Sequence, residues 1–187
     1  LGAAVGLARR LPGRSIIVPV IYTGMALPPV VVGLFTYLLL SNRGPLGSLS
    51  WLFTPTGMVL AQTIIAFPLV VGLTMTAVQS VDPHLRTQLA SLGATRRQVA
   101  LTTLAEARIG VTAAVVAAYG SIISEVGAVM LVGGNIEGET RVLTTAIVLE
   151  TRRGNFALAL ALGTVLLALA FVTNFVFYRL QVRQGGP

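Results

Sequence analysis

From Gly44 to Val81 the chain carries no charged side chain. A helix crossing a hydrocarbon core of roughly 30 Å needs about 20 consecutive apolar residues, and this run holds such a segment. Inside lipid every backbone polar group must find its partner within the protein, which leaves helices or a closed barrel. The run is long enough to cross the bilayer as a helix. Composition agrees: 55% of the 187 residues are hydrophobic and 10% charged, with mean hydropathy +0.85, whereas soluble domains carry roughly a quarter charged residues.

Four runs are long enough to span: Ser15 to Ser41, Thr56 to Val81, Ile109 to Val132, and Phe156 to Tyr178. Residues 1–11 are apolar as far as Arg9 and Arg10 but too short to cross alone. A signal peptide places its positive charges before the apolar part, the reverse of what stands here, so this segment reads as the end of a helix that begins upstream. The expected fold is therefore an all-α membrane domain, a single unit over 1–187 with about five spans, the first truncated. Pro19, Pro28, Pro29 and Pro68 predict kinks.

All thirteen basic residues are arginines. Arg9, Arg10, Arg14, Arg86, Arg96, Arg97, Arg108, Arg179 and Arg183 fall on one side of the predicted spans, and Arg43, Arg141, Arg152 and Arg153 on the other. The positive-inside bias puts the larger group in the cytoplasm. Segment 82–108 is then a cytoplasmic loop, 133–155 an external loop, and the C-terminus lies inside. A net charge of +7 on a soluble chain would suggest nucleic acid, but arginines interleaved with apolar runs report orientation and headgroup contact instead. With no Cys and one His, neither disulfides nor a multi-histidine metal site can form. Without lysine there is no phosphate loop, so ATP must be handled by another polypeptide. His84 and the serines at 121 and 124 fall in different regions with no nucleophile elbow, which excludes a hydrolase triad.

The cytoplasmic loop is the most structured polar segment. Asp82 followed by Pro83 is a helix-start signal, and a helix from Pro83 to about Leu92 places Leu85, Leu89 and Leu92 in one stripe. Gly93 ends it, because only glycine turns left-handed without a Cβ penalty. Thr95 and Gln98 form a capping box that starts a second helix. Two readings stand: an amphipathic helix lying in the headgroups, or a docking element for a cytoplasmic partner.

The segment LASLGATRRQVALTTLAEAR resembles the cytoplasmic loop of the membrane subunits of type I ABC importers, with Gly93 at the family's glycine. Thr87, Gln88 and Leu89 depart from its Glu-Ala-Ala, and Thr103, Ala105 and Glu106 from its terminal Ile, Leu and Pro. Segments SIISEVGAVMLVGGNIEGETRVLTTAIVLETRRGNFALALALG and PPVVVGLFTYLLLSNRGPLG resemble tungstate-type permeases, and less closely the molybdate and sulfate permeases. The resemblance implies a homodimer in the cytoplasmic membrane, two ATPase subunits that bind ATP and Mg, and an external substrate-binding protein. It implies no cofactor on this chain. It maps ATPase coupling onto 84–95, with Leu85, Arg86, Leu89, Leu92, Gly93, Ala94 and Thr95 as the residues concerned. The implied activity is ATP-driven import of an oxyanion, tungstate first, with molybdate or sulfate as alternatives. The alternative from another class is a gradient-driven transporter, which calls for an inverted repeat or intramembrane charges.

Glu125 is the one acidic residue within a predicted span. It is either a gate or proton site, or a helix-packing hydrogen-bond partner to backbone or an arginine. The second is expected, since a fixed negative charge on the pathway repels an anion. Gly133, Gly134 and Asn135 read as a turn after a helix or as a nest of amides facing an anion. Arg141, Thr144 and Thr145 are expected on the translocation path, with the threonines on a short helix lining a constriction. Gln62 is expected to bond between helices.

Overall fold

In the computed structural model, which describes residues 1–7 and 12–184, the described residues form ten α-helices and a short 3-10 turn. They are α1 Gly2–Leu7, α2 Arg14–Met25, α3 Pro29–Leu40, α4 Pro55–Gln79, α5 Pro83–Ser91, α6 Arg96–Glu106, α7 Arg108–Ile123, α8 Gly127–Gly133, α9 Leu143–Arg152 and α10 Phe156–Gln184. The turn at Gly47–Leu49 lies between α3 and α4. Arg9 and Arg10, used above for orientation, lie outside the described residues, as does the side chain of Arg183.

Two helices are long and apolar enough to cross a membrane alone: α4 over Pro55–Gln79 and α10 over Phe156–Arg179. At 1.5 Å per residue, 25 residues of α4 reach about 37 Å. Pro68 stays within α4. The pair α2 and α3, and the pair α6 and α7 bent by 57°, meet the same test only together.

Two of the expected spans are each divided between two helices. The run Ser15 to Ser41 is not one helix, because Leu27 precedes Pro28 and Pro28 precedes Pro29, and a residue before proline is pushed out of the helical region. Pro28 adopts extended backbone and α3 restarts with Pro29 in its first turn. The run Ile109 to Val132 breaks after Ile123 and resumes at Gly127. No proline marks that break; the side chain of Glu125 is bonded across it, as described below.

The chain divides into two compact units. The first comprises residues 1–25, 67–118 and 177–187. Ile21, Val71 and Met75 form one buried cluster there, and Val78, Val81 and Ala107 another, onto which Leu7, Leu85 and Leu104 pack. Gly2 and Gly6, a small-xxx-small pair, let α1 lie directly on α4. A Cβ at Gly2 would overlap the Val71 carbonyl, and one at Gly6 would come within 3.0 Å of the Met75 carbonyl oxygen. The four-residue spacing of Gly2 and Gly6 is the sequence signal for this contact.

The second unit comprises residues 26–66 and 119–176. Its core is Leu40, Ala61, Ala128 and Val132, with Trp51 and Leu52 packed against it. Helix α8 lies against α3, where Gly33 meets Ala128 so closely that a Cβ would overlap the Ala128 Cα. The Phe53 amide donates to the Val132 carbonyl at 2.9 Å, tying the 41–54 segment to the end of α8. Most of α10 is uncovered: Leu160 and Leu167 are 73% exposed and Phe171 71%. Such a surface is stable in hydrocarbon and not in water.

Candidate functional site

The loop that follows α4 is built as its local signals dictate. The Asp82 carboxylate accepts from the His84 amide at 2.8 Å and starts α5 at Pro83. Gly93 has φ +84, and the Ala94 amide returns to the Leu89 carbonyl at 3.0 Å, closing α5. The Thr95 hydroxyl accepts from the Gln98 amide, and the Gln98 side-chain oxygen accepts from the Thr95 amide at 2.8 Å. Each bond satisfies a helix-end group that would otherwise be open.

The leucine stripe does not form one surface. Leu85 packs into the cluster of Val78, Val81 and Ala107, and Leu89 is half-buried. Leu92, the residue that caps α5, is 84% exposed beside Gly93. Leu92 stays on the helical face, its amide bonded to the Gln88 carbonyl at 3.0 Å, but the Val78, Val81 and Ala107 cluster that receives Leu85 does not include it. Arg86 also turns inward. Its guanidinium donates to the Leu7 carbonyl and the Val78 carbonyl, both at 3.3 Å. Leu7 ends α1 and Val78 stands in the last turn of α4, so one cation serves two helix C-termini, the position the helix dipole favours. Its Nε is buried without a partner.

In the second unit the break between α7 and α8 organises the polar groups. Glu125 Oε1 accepts from the Ala128 amide at 3.0 Å, so the carboxylate caps α8. The Glu125 carbonyl accepts from the Thr144 hydroxyl at 3.2 Å, which ties α9 to the break. The Gln62 side-chain amide donates to the Ile122 carbonyl at 3.4 Å, one of the acceptors freed where α7 ends. Breaking the helix thus supplies the carboxylate with its donor, and neighbouring helices satisfy the remaining groups.

Around the break lies a cavity of about 650 Å³, lined by Gln62, Glu125, Glu137, Arg141 and Thr144 among apolar residues of α7, α9 and α10. Arg141 Nη1 pairs with Glu137 Oε2 at 3.1 Å. Arg141 Nε is buried and has no partner. Glu137 was missed by the sequence reading, although its spacing of four from Arg141 is the signal for such a pair.

Other expected path residues are engaged differently. Gly133 belongs to α8, and the Gly134 amide donates to the Met130 carbonyl at 3.0 Å. Gly134 and Asn135 are both left-handed, with φ 71 and 53. The Thr140 hydroxyl accepts from the Ile136 amide at 2.9 Å and donates to the Gly133 carbonyl. The segment forms a helix C-cap turn after α8. The Thr145 hydroxyl, fully buried, accepts from the Val142 amide at 3.1 Å and donates to the Val142 carbonyl at 3.0 Å. Both threonine hydroxyls therefore organise the start of α9, and of the two residues Thr144 lines the cavity.

The chain belongs to the family of binding-protein-dependent transport system inner membrane components, whose family model matches residues 1–185. Its fold is that of a type I ABC importer transmembrane domain. It is 46% identical, over all of this chain and 84% of the relative, to a probable anion ABC transporter permease protein of Haloferax volcanii. It is 43% identical to the tungstate uptake system permease protein of Peptoclostridium acidaminophilum, covering 87% of this chain and 71% of that one. The tungstate uptake system permease protein of Campylobacter jejuni is 40% identical, over 87% of this chain and 68% of its own length. Molybdenum and sulfate transport system permeases match more distantly, at 31% and 29%.

Proposed function

We propose that this chain is the permease of an ATP-driven oxyanion importer and that its substrate is tungstate, with molybdate next. The observation that carries the substrate class is the similarity, over 87% of the chain, to permeases named for tungstate uptake. Two copies of the chain assemble in the membrane with two ATPase subunits, which bind ATP and Mg, and an external binding protein delivers the ion. Lipid and the second copy cover the exposed face of α10. The 82–108 loop and the C-terminus face the cytoplasm, in keeping with the arginine distribution.

Coupling runs through α5 and the Gly93 corner. The exposed Leu92 supplies apolar contact to the ATPase, while Leu85 and Arg86 hold α5 against the membrane helices. ATP-driven approach of the two ATPases moves the paired loops and turns the cavity from outward to inward. Ala94 and Thr95 set the angle between α5 and α6. Binding within the membrane is weak, because an ion held tightly would not be released.

The test is uptake of tungstate, molybdate and sulfate, measured in parallel, by a strain lacking the gene and by the same strain complemented. Restored tungstate uptake is expected. Equal tungstate uptake with and without the gene removes the substrate assignment, and purification that recovers no ATPase removes the coupling assignment.

A further inference from the structure

We propose that Arg141 is a contact for the translocated oxyanion and that Glu137 occupies its guanidinium between passages, giving way to the anion and then returning. The inference rests on the oxyanion reading above and names the residues that meet the ion. Arg141 stands on the wall of the 650 Å³ cavity with Gln62, Glu125 and Thr144. Its Nη1 is bound to Glu137, while its Nε is enclosed and has no acceptor. An enclosed donor without an acceptor is costly, and at Arg141, unlike the equally unpartnered Nε of Arg86, it belongs to a residue of the cavity wall, where an anion's oxygen has room. A tetrahedral oxyanion supplies several, and two of them can meet Nε and a neighbouring Nη side-on, the geometry guanidinium favours.

Glu137 is suited to leave. Its side chain is 83% exposed against 24% for Arg141, so the carboxylate can turn into water while the guanidinium stays at the cavity wall. Pairs with a partner this exposed are weak. Glu125 sets the opposite limit. Its carboxylate is held by the Ala128 amide at the start of α8 and stays in the same cavity, so an anion at Arg141 is attracted on one side and repelled on the other. Thr144 and Gln62 are already bonded to the Glu125 and Ile122 carbonyls, which leaves Arg141 as the cationic group of the cavity lining. The result is a contact that forms and releases, which a carrier requires.

The experiment uses the chain purified with its ATPase in lipid nanodiscs, with tungstate as the probe and thermal stabilisation as the readout. Glu137→Gln is expected to lower the tungstate concentration for half-maximal stabilisation by about two- to fivefold, the range set by a weak exposed pair. Arg141→Gln is expected to abolish the stabilisation, and Arg141→Lys to weaken it because a point charge replaces the planar fork. An unchanged midpoint in Arg141→Gln, or an unchanged or higher one in Glu137→Gln, overturns the proposal. So does the absence of stabilisation in both the parent protein and Glu137→Gln. If Arg141→Gln does not assemble, Glu137→Gln decides alone. Uptake by cells carrying the parent protein separates the two levels: no uptake of tungstate, molybdate or sulfate sinks the oxyanion reading itself. Tungstate uptake together with unchanged midpoints sinks only the role of Arg141.

Discussion

Replacing Glu125 by Gln and by Ala distinguishes a helix cap from a gate. As a cap, the residue contributes one acceptor to the Ala128 amide and a negative charge at the start of α8. Gln keeps an oxygen at the same reach and loses the charge. A hydrogen bond to a charged group contributes about 1.5–3 kcal/mol and a neutral one about 0.5–1.5, so Glu125→Gln should cost about 1 kcal/mol. Ala removes the acceptor altogether. Cap loss costs about 0.5–2 kcal/mol, and the amide left open belongs to the fully buried Ala128, so about 2 kcal/mol is expected. Thermal unfolding of the purified transporter in nanodiscs should rank the proteins parent, Gln, Ala. Substrate uptake per folded protein should follow the same order, with Gln near the parent. If Glu125→Gln abolishes uptake while its melting temperature stays at the parent's, the carboxyl group acts through its charge or proton and the capping argument is wrong.

Two further substitutions test the loop and the α8 cap. Leu85→Ala should destabilise the chain by about 2–3 kcal/mol, as truncation of a packed leucine does, whereas Leu92→Ala should leave the melting temperature unchanged and reduce the ATPase recovered on co-purification. Equal effects of the two on both readouts would contradict the split of the leucine stripe. Thr140→Val keeps the shape of a side chain that is 1% exposed but leaves the Gly133 carbonyl and Ile136 amide without it, so it should lower stability by about 2 kcal/mol. Thr140→Ser, which keeps the hydroxyl and loses a methyl, should cost about 0.8 kcal/mol; denaturant unfolding in detergent measures both.

What the sequence revealed follows the range of the forces involved. Asp82, Gly93, Thr95 and Gln98 act on amides within a few residues, so α5, its end and the start of α6 were legible one residue at a time. The direction taken by Leu92 was not, because the neighbours that bury Leu85 come from α4 and from Ala107 at the α6–α7 junction. Pro28 and Pro29 announced a disturbance, and only the extended backbone at Pro28 turned an expected kink into a full break. The interruption at 124–126 has no such marker. Glu125 was the clue, since a carboxylate in an apolar run needs a donor, and breaking its own helix provides one. The cavity joins residues from 62 to 169, and no local spacing could assemble it.

The guanidinium of Arg86 has a mechanical consequence. Both of its bonds stand at 3.3 Å, close to the outer limit for an effective contact. Moving α5 away from either carbonyl loosens one of them and opens a helix end, so displacement of α5 is linked to the ends of α1 and α4. Under the proposed coupling, a push at Leu92 would reach the ends of α1 and α4 through these two carbonyl oxygens. If the ATPase engages α5 as proposed, this linkage is the route by which its stroke reaches the two helix ends.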